Sequence, residues 1–304
     1  MLVLEQILNG LQLGVMLFLM SAGLTLVFGI MQVVNLAHGS FYMIGAYVAA
    51  TVAMKTGSFF LGLAAALPAA ALAGMAVEML ILRRLYHRDH LDQVLATFGL
   101  IFFFNEATRM IWGRQPLFMD VPELLAGSVQ ILPGVQYPVY RLAIIVVGIL
   151  VAVFLYLLFS RTRLGMQIRA GATNREMIGA LGVNIRLLYT LIFGLGTLLA
   201  GLAGVMAGPI LAVESGMGES ILILTFVVIV IGGIGSVRGA LIGAILVGLV
   251  DTLARAFLPD LFRLLLDSAS AADRMGAALA SMSVYVFMAL VLALRPAGLF
   301  PVSR

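Results

Sequence analysis

The chain has no cysteine among its 304 residues. That excludes disulfides, thiolate nucleophiles and cysteine-ligated metals, and leaves the redox compartment open. Charge is scarce as well, at 11% against roughly 25% in soluble domains. Lys55 is the only lysine, so every other basic side chain except histidine is an arginine. A Walker A loop needs a lysine closing a glycine-rich turn. Lys55 sits in AMKTGS without such a turn, which excludes ATP binding of that kind. His38 has no HExxH or paired-ligand neighbour, and His87 and His90 fall in a basic connection, so no metal site is expected. The opening residues MLVLEQILNG carry Glu5 but no Lys or Arg. They lack the basic n-region of a cleavable leader, and the first apolar segment is expected to stay.

What fills the chain is apolar: 62% of residues, with a mean hydropathy of +1.14. Such a composition belongs in a bilayer, where each crossing takes about 20 helical residues. Apolar segments lie near 8–30, 39–54, 59–82, 93–112, 139–160, 187–212, 219–233, 239–257 and 279–295. Helices are expected, because lipid leaves no partner for unpaired backbone groups and the weak alternation of barrel strands is absent. The expectation is an all-α polytopic membrane protein of about 8 to 9 transmembrane helices, a single domain over 1–304, with short or interrupted helices near 31–54 and 219–244. Gly194, Gly196, Ala200, Gly201, Gly204 and Gly208 mark a segment built for close helix packing.

The net charge of +4 and pI near 9.7 come from arginines scattered between apolar segments, a pattern of membrane orientation and not of nucleic-acid binding. Residues 83–92 (RRLYHRDHLD) and the arginine-rich 161–186 are expected to be cytoplasmic. Residues 113–138, with Pro116, Pro122, Pro133 and Pro138, read as an outward loop. Glu214, Glu219 and the loop 258–278 with Asp260, Asp267 and Asp273 then lie outside, and Arg238 and the tail RPAGLFPVSR inside. Two topologies are open at the start: if 8–30 and 39–54 both cross, the chain begins outside, and if one is re-entrant it begins inside.

HGSFYMIGA at 38–46 echoes RGALIGA at 238–244, each after a run opening with Leu-Thr, at Leu24-Thr25 and Leu224-Thr225. Interrupted segments in corresponding positions of two halves point to a transporter's midplane site. Among ionisable residues inside apolar segments, Asp251 and Arg255 can pair on one helix face, as can Glu106 and Arg109. Glu78 lacks a helical partner and is placed at the cytoplasmic rim near Arg83 and Arg84. His38 reads as a hydrogen-bonded structural residue. In the basic loop, Ile168, Ala172, Met177, Ala180 and Leu181 fall roughly on one face, so a short amphipathic helix closed by Gly182 is expected. Its small residues Ala170, Gly171, Ala172 and Ala180 favour docking a protein over lying on lipid.

VFGIMQVVNLAHGSFYMIGAY, RAGATNREMIGALGVN and GGIGSVRGALIGAILVG at 232–248 resemble, in order and spacing, the LivH-type permease subunits of branched-chain amino-acid ABC importers. The resemblance covers nearly the whole chain. It implies an inner-membrane subunit pairing with a second, LivM-like permease, two cytoplasmic ATPase subunits and a periplasmic binding protein. ATP and Mg would be held by the ATPases and no cofactor by this chain. Residues 169–184 would be the coupling helix, with Arg169, Ala172, Asn174, Ala180, Leu181 and Gly182 at the ATPase. Asn35, His38, Gly39, Ser40, Gly232, Gly233, Gly235 and Ser236 would line the translocation pathway, and no residue would be catalytic. The competing class is an ATP-independent carrier or channel. A membrane-embedded enzyme is a third, disfavoured because no nucleophile and base converge in the motifs.

Overall fold

The computed structural model describes residues 2–86, 88–266 and 268–301. His87, Asp267 and the final residues 302–304, expected in connections and the tail, lie outside the described residues. Among the described residues, seven helices are long and apolar enough to cross a membrane. They are α1 (Leu2–Met31), α3 (Phe59–Val77) with its continuation to Leu85, α5 (His90–Trp112), α6 (Val139–Arg161), α9 (Ile185–Ala207), α11 (Val237–Leu265) and α12 (Ala269–Leu294). Two further helices fall outside that set: α2 (His38–Thr56), of 19 residues but less apolar, and α10 (Met217–Gly232), of 16. The interruptions expected near 31–54 and 219–244 are the non-helical stretches 32–37 and 233–236.

Two helices form the centre. In α1 and α9, 83% of the apolar window is buried, against 17% in α6 and α12, which present their flanks to lipid. Small residues draw the central helices together. Gly14 of α1 lies against the backbone of Ala244 and Ile245 of α11, Gly23 against Gly196 of α9, and Gly45 of α2 against Gly201 of α9. A Cβ at Gly204 would overlap the carbonyl oxygen of Tyr42.

Hydrogen bonds across the bundle fix which ends share a side. Arg83, at the end of the α3 continuation, donates to Thr190 in the first turns of α9 at 2.8 Å, so the two basic connections are on one face, the cytoplasmic one by the distribution of arginine. On the other face, Asn9 Oδ1 accepts from Tyr137 Oη (3.1 Å) and from Arg141 at the start of α6 (2.6 Å). The start of α1 therefore lies outside. Trp112, closing α5, donates to Thr51 near the end of α2 at 2.6 Å, which places that end outside too.

Three expectations about connections are corrected. The loop 113–138 contains a 3-10 turn at Glu123–Leu125 and an antiparallel hairpin, β1 (Ser128–Leu132) with β2 (Val135–Pro138). The loop 258–278 is almost wholly helical, split between α11 and α12. Its charges pair instead of breaking the helices: Arg263 reaches Asp260 at 3.2 Å and Asp273 at 2.8 Å. The amphipathic helix expected over 169–184 is two helices, α7 (Arg163–Thr173) and α8 (Arg175–Ala180). Asn174 is extended between them (φ −150°, ψ 103°) and its side chain accepts from Met177 N at 3.0 Å. It acts as an N-cap, the position asparagine favours over a helix interior.

Glu78 is the fourth correction. It is fully buried and has a partner on its own helix, five residues on. Residues Glu78–Leu82 form a π-helical turn, and that extra residue per turn swings Arg83 onto the glutamate, with bonds of 3.3 and 3.0 Å. Tyr86 Oη donates to Glu78 Oε1 at 2.6 Å and Thr190 Oγ1 to Oε2 at 2.7 Å. Burial first, and the bond to Glu78 second, hold the Tyr86 phenol well above its ordinary pKa, so it stays a donor. Asp251 and Arg255 pair as expected, at 2.8 Å.

Replacing Glu78 by alanine leaves Arg83, Tyr86 and Thr190 without their acceptor. Because Arg83 is part-exposed and can turn to water, the expected loss is about 2–3 kcal/mol, below that of a fully enclosed pair, and Thr190→Val should lose about 1 kcal/mol. Thermal unfolding of the detergent-solubilised chain measures both. In the same assay Gly204→Ala should lower the midpoint, whereas Gly99→Ala, where a methyl meets nothing within 4 Å, should leave it unchanged or raise it slightly.

Candidate functional site

Helices α2 and α10 begin side by side. Gly39, in the first turn of α2, and Gly218, in the first turn of α10, touch backbone to backbone, and a Cβ on either would overlap the other's carbonyl. From that junction α2 runs to the outer face. α10 runs to the inner one, ending where Gly235 packs against Gly29 near the inner end of α1. At 1.5 Å per residue α1 descends about 12 Å from Gly23 to Met31. The stretch 32–37 then climbs back, because His38 lies against Gly23. Gln32, in the left-handed region at φ 56°, makes the reversal.

Asn35 organises this return. Its Oδ1 accepts from Ala37 N at 3.1 Å and its carbonyl from His38 N at 3.4 Å, an Asx-type turn feeding the start of α2. Asn35 and His38 are wholly buried. The Asn35 Nδ2, the Thr25 hydroxyl and both ring nitrogens of His38 make no hydrogen bond of good geometry, although the Met20 carbonyl faces the imidazole. The His38 ring lies beside Gly23, with the Met20 carbonyl as its one facing acceptor among the described residues.

Beside the junction is a constriction of about 10 Å³, room for one water, lined by Gly39, Ser40, Asn105, Gly218 and Glu219 among others. Asn105 Nδ2 donates to Glu219 Oε1 at 2.5 Å, and Ser215 Oγ to the Asn105 carbonyl at 3.2 Å. The starts of two half-helices supply partial positive charge here, and Glu219 supplies a full negative one. Asn105, Gly218 and Glu219 were missed as candidates in the sequence. The available signal was the amide–acid pair itself, on two apolar segments, but its partners stand 114 residues apart.

Gly232, Gly233, Gly235 and Ser236 are not at this junction. They form the inner turn between α10 and α11. Gly233 adopts φ 102°, Ser236 Oγ caps α11 by accepting from Gly239 N at 3.0 Å, and the tail amides of Leu299 and Phe300 donate to the carbonyls of Ile231 and Gly232 at 2.9 and 3.0 Å. The structure thus brings together Asn35, His38, Gly39 and Ser40, and separately Gly232, Gly233, Gly235 and Ser236.

On the cytoplasmic side, Arg169, Ala172, Asn174, Ala180, Leu181 and Gly182 are all exposed. Ile168 and Ile178 turn inward instead, so the apolar face read from the sequence is divided at Asn174. Met177 at 61% and Leu181 at 76% exposure stand out beyond the inner ends of the membrane helices, an apolar surface in a charged setting.

Residues 6–293 match the family described as branched-chain amino acid transport system / permease component. The chain is 33% identical over 273 residues to the high-affinity branched-chain amino acid transport system permease protein BraD of Pseudomonas aeruginosa, covering 85% of this chain and 87% of that one. It is 29% identical over 269 residues to the corresponding LivH protein of Escherichia coli K12, covering 84% and 87%. With the probable branched-chain amino acid transport permease protein LivH of Methanocaldococcus jannaschii it shares 26% over 256 residues, covering 81% and 79%. No solved structure matches at a significant level. A match over nearly the whole chain, on a bundle of membrane-spanning helices, shows that the protein belongs to the family of branched-chain amino acid transport system permease components.

Proposed function

We propose that this chain is one permease subunit of an inner-membrane ABC importer for branched-chain amino acids, delivered by a periplasmic binding protein. A second, LivM-like permease completes the membrane unit, and two cytoplasmic ATPase subunits hold the ATP and Mg. The chain itself holds no cofactor, catalyses no chemistry and does not bind nucleic acid. The observation that carries this reading is the exposed α7–α8 pair, with Met177 and Leu181 unburied and Ala172 and Ala180 leaving room for a groove. An apolar surface on the cytoplasmic side of a membrane protein calls for a protein partner.

The substrate passes where α2 and α10 start. A zwitterion meets Glu219 with its ammonium, and with its carboxylate the positive ends of the two helices beside Ser40. The enclosed Asn35, Thr25 and His38 groups gain partners when the junction opens. Movement of the ATPases, passed on through 169–184 to the start of α9, alternates access. The buried Glu78 cluster ties that start of α9 to α3.

Co-purification tests the docking surface. Wild type should retain the ATPase subunits, and Ala172→Arg and Ala180→Arg, both on exposed positions, should release them while the membrane subunit stays folded. Retention by both variants, or solute movement by the purified chain without any ATPase, would sink the reading. In proteoliposomes of the full complex, Glu219→Gln should lower uptake about tenfold, the value of one charge-assisted contact, with ATPase binding unaltered.

A further inference from the structure

An open cleft of about 410 Å³ lies between the outer halves of α1, α6 and α11, apart from both the junction and the docking loop. Its size falls in the range of small-ligand sites, roughly 300–1,000 Å³. Gln6, Asn9 and Gln12 line it from α1, Arg141 from α6, and Thr252 and Arg255 from α11.

The chemistry of the lining is one-sided: amides, a hydroxyl and two guanidiniums, with no carboxylate. Arg255 gives its Nε to Asp251, which leaves its terminal nitrogens free of that bond. Arg141 gives Nη1 to the neutral Asn9 Oδ1, and among the described residues no acid lies within ion-pair distance of it. Arg141 thus stands in the cleft without an ion-pair partner, with Glu5, the residue before Gln6, the acid whose charge reaches Tyr137 beside it. The height of the cleft is set by Tyr137, whose hydroxyl shares Asn9 with Arg141 just where the hairpin passes into α6. That is the level of the outer headgroups, above the hydrocarbon. Below it the side of α6 nearest Arg141 is aliphatic, with Ile145 part-exposed and Ile149 exposed.

A set of oxyanion donors standing over an aliphatic wall has the shape of a phospholipid. We propose that this cleft binds an anionic phospholipid of the outer leaflet, its phosphate held by Arg141 and Arg255 and its acyl chains laid along α6. Guanidinium donors suit a phosphate diester by fork geometry, and Arg141, free of any ion pair, favours an anionic headgroup over a zwitterionic one. Free phosphate offers the same oxygens but nothing for the wall below.

Native mass spectrometry of the full-chain complex, exchanged into mixed phosphatidylglycerol and phosphatidylcholine, tests this. Wild type should retain phosphatidylglycerol preferentially. The double variant Arg141→Gln/Arg255→Gln should lower that retention about tenfold, while Arg274→Gln, exposed on α12, leaves it unchanged. Thr252→Trp, which fills the cleft and keeps both charges, should also displace the lipid, so the test survives if the double variant does not fold. Equal retention of the two lipids, or retention undisturbed by Thr252→Trp, overturns the proposal. Thermal stabilisation by inorganic phosphate with no retained phosphatidylglycerol also overturns it, in favour of a soluble anion. So does cross-linking of the cleft to another subunit.

Discussion

Backbone amides have no water to turn to inside a bilayer, yet residues 32–37 leave the helix there. That is tolerable only where protein closes around the stretch, and much of the architecture is what such closure requires. α1 and α9 are buried because they flank it, and glycines on both let the neighbouring backbones approach. Asn35 replaces a missing backbone partner with its own side chain, and Thr97 of α5 comes within 3.5 Å of the Val34 carbonyl. The same enclosure lets α2 begin in mid-membrane beside α10, so that two helix starts face one point from opposite directions.

The membrane helices were legible from hydropathy because lipid imposes one rule on every crossing. That the two basic connections share a face was legible from arginine, and the Asp251–Arg255 pair from four-residue spacing. The breaks after Met31 and Gly232 were legible too, since Asn35, Gly233 and Ser236 are poor helix interiors. What escaped was every feature in which geometry departs from the regular helix. Glu78 looked unpaired because its partner is reached only through a π turn. Asn174 looked like one more residue of a helical face, although it ends one helix and starts another. Residues 258–278 looked like a loop because their aspartates were counted as solvent-seeking, when Arg263 satisfies two of them within a helical hairpin. The Gly39–Gly218 contact joins residues too far apart in sequence for any local pattern to reveal it.

The two faces of the molecule are built with different materials. Outside, the elements are joined by scattered polar contacts at the rim: Trp112 to Thr51, Tyr140 to the Met206 carbonyl, Asn9 to Tyr137 and Arg141, and the bridge between Leu117 and Val213. Inside, one buried carboxylate gathers Arg83, Tyr86 and Thr190, and so binds α3 to α9. The start of α9 lies a few residues beyond α8 and is itself clamped to α3 by that carboxylate.

Lys55 closes α2 at its exposed outer end, in a chain with no other lysine and no thiol. Among side chains, an amine reagent applied from the outer face therefore has one target here, and at alkaline pH it reacts there as well as at the α-amino group. The lysine stands at the far end of the helix whose beginning is the junction. A dye placed there would ride on α2 and report its tilt, so the natural sequence already holds the attachment point for watching this gate move.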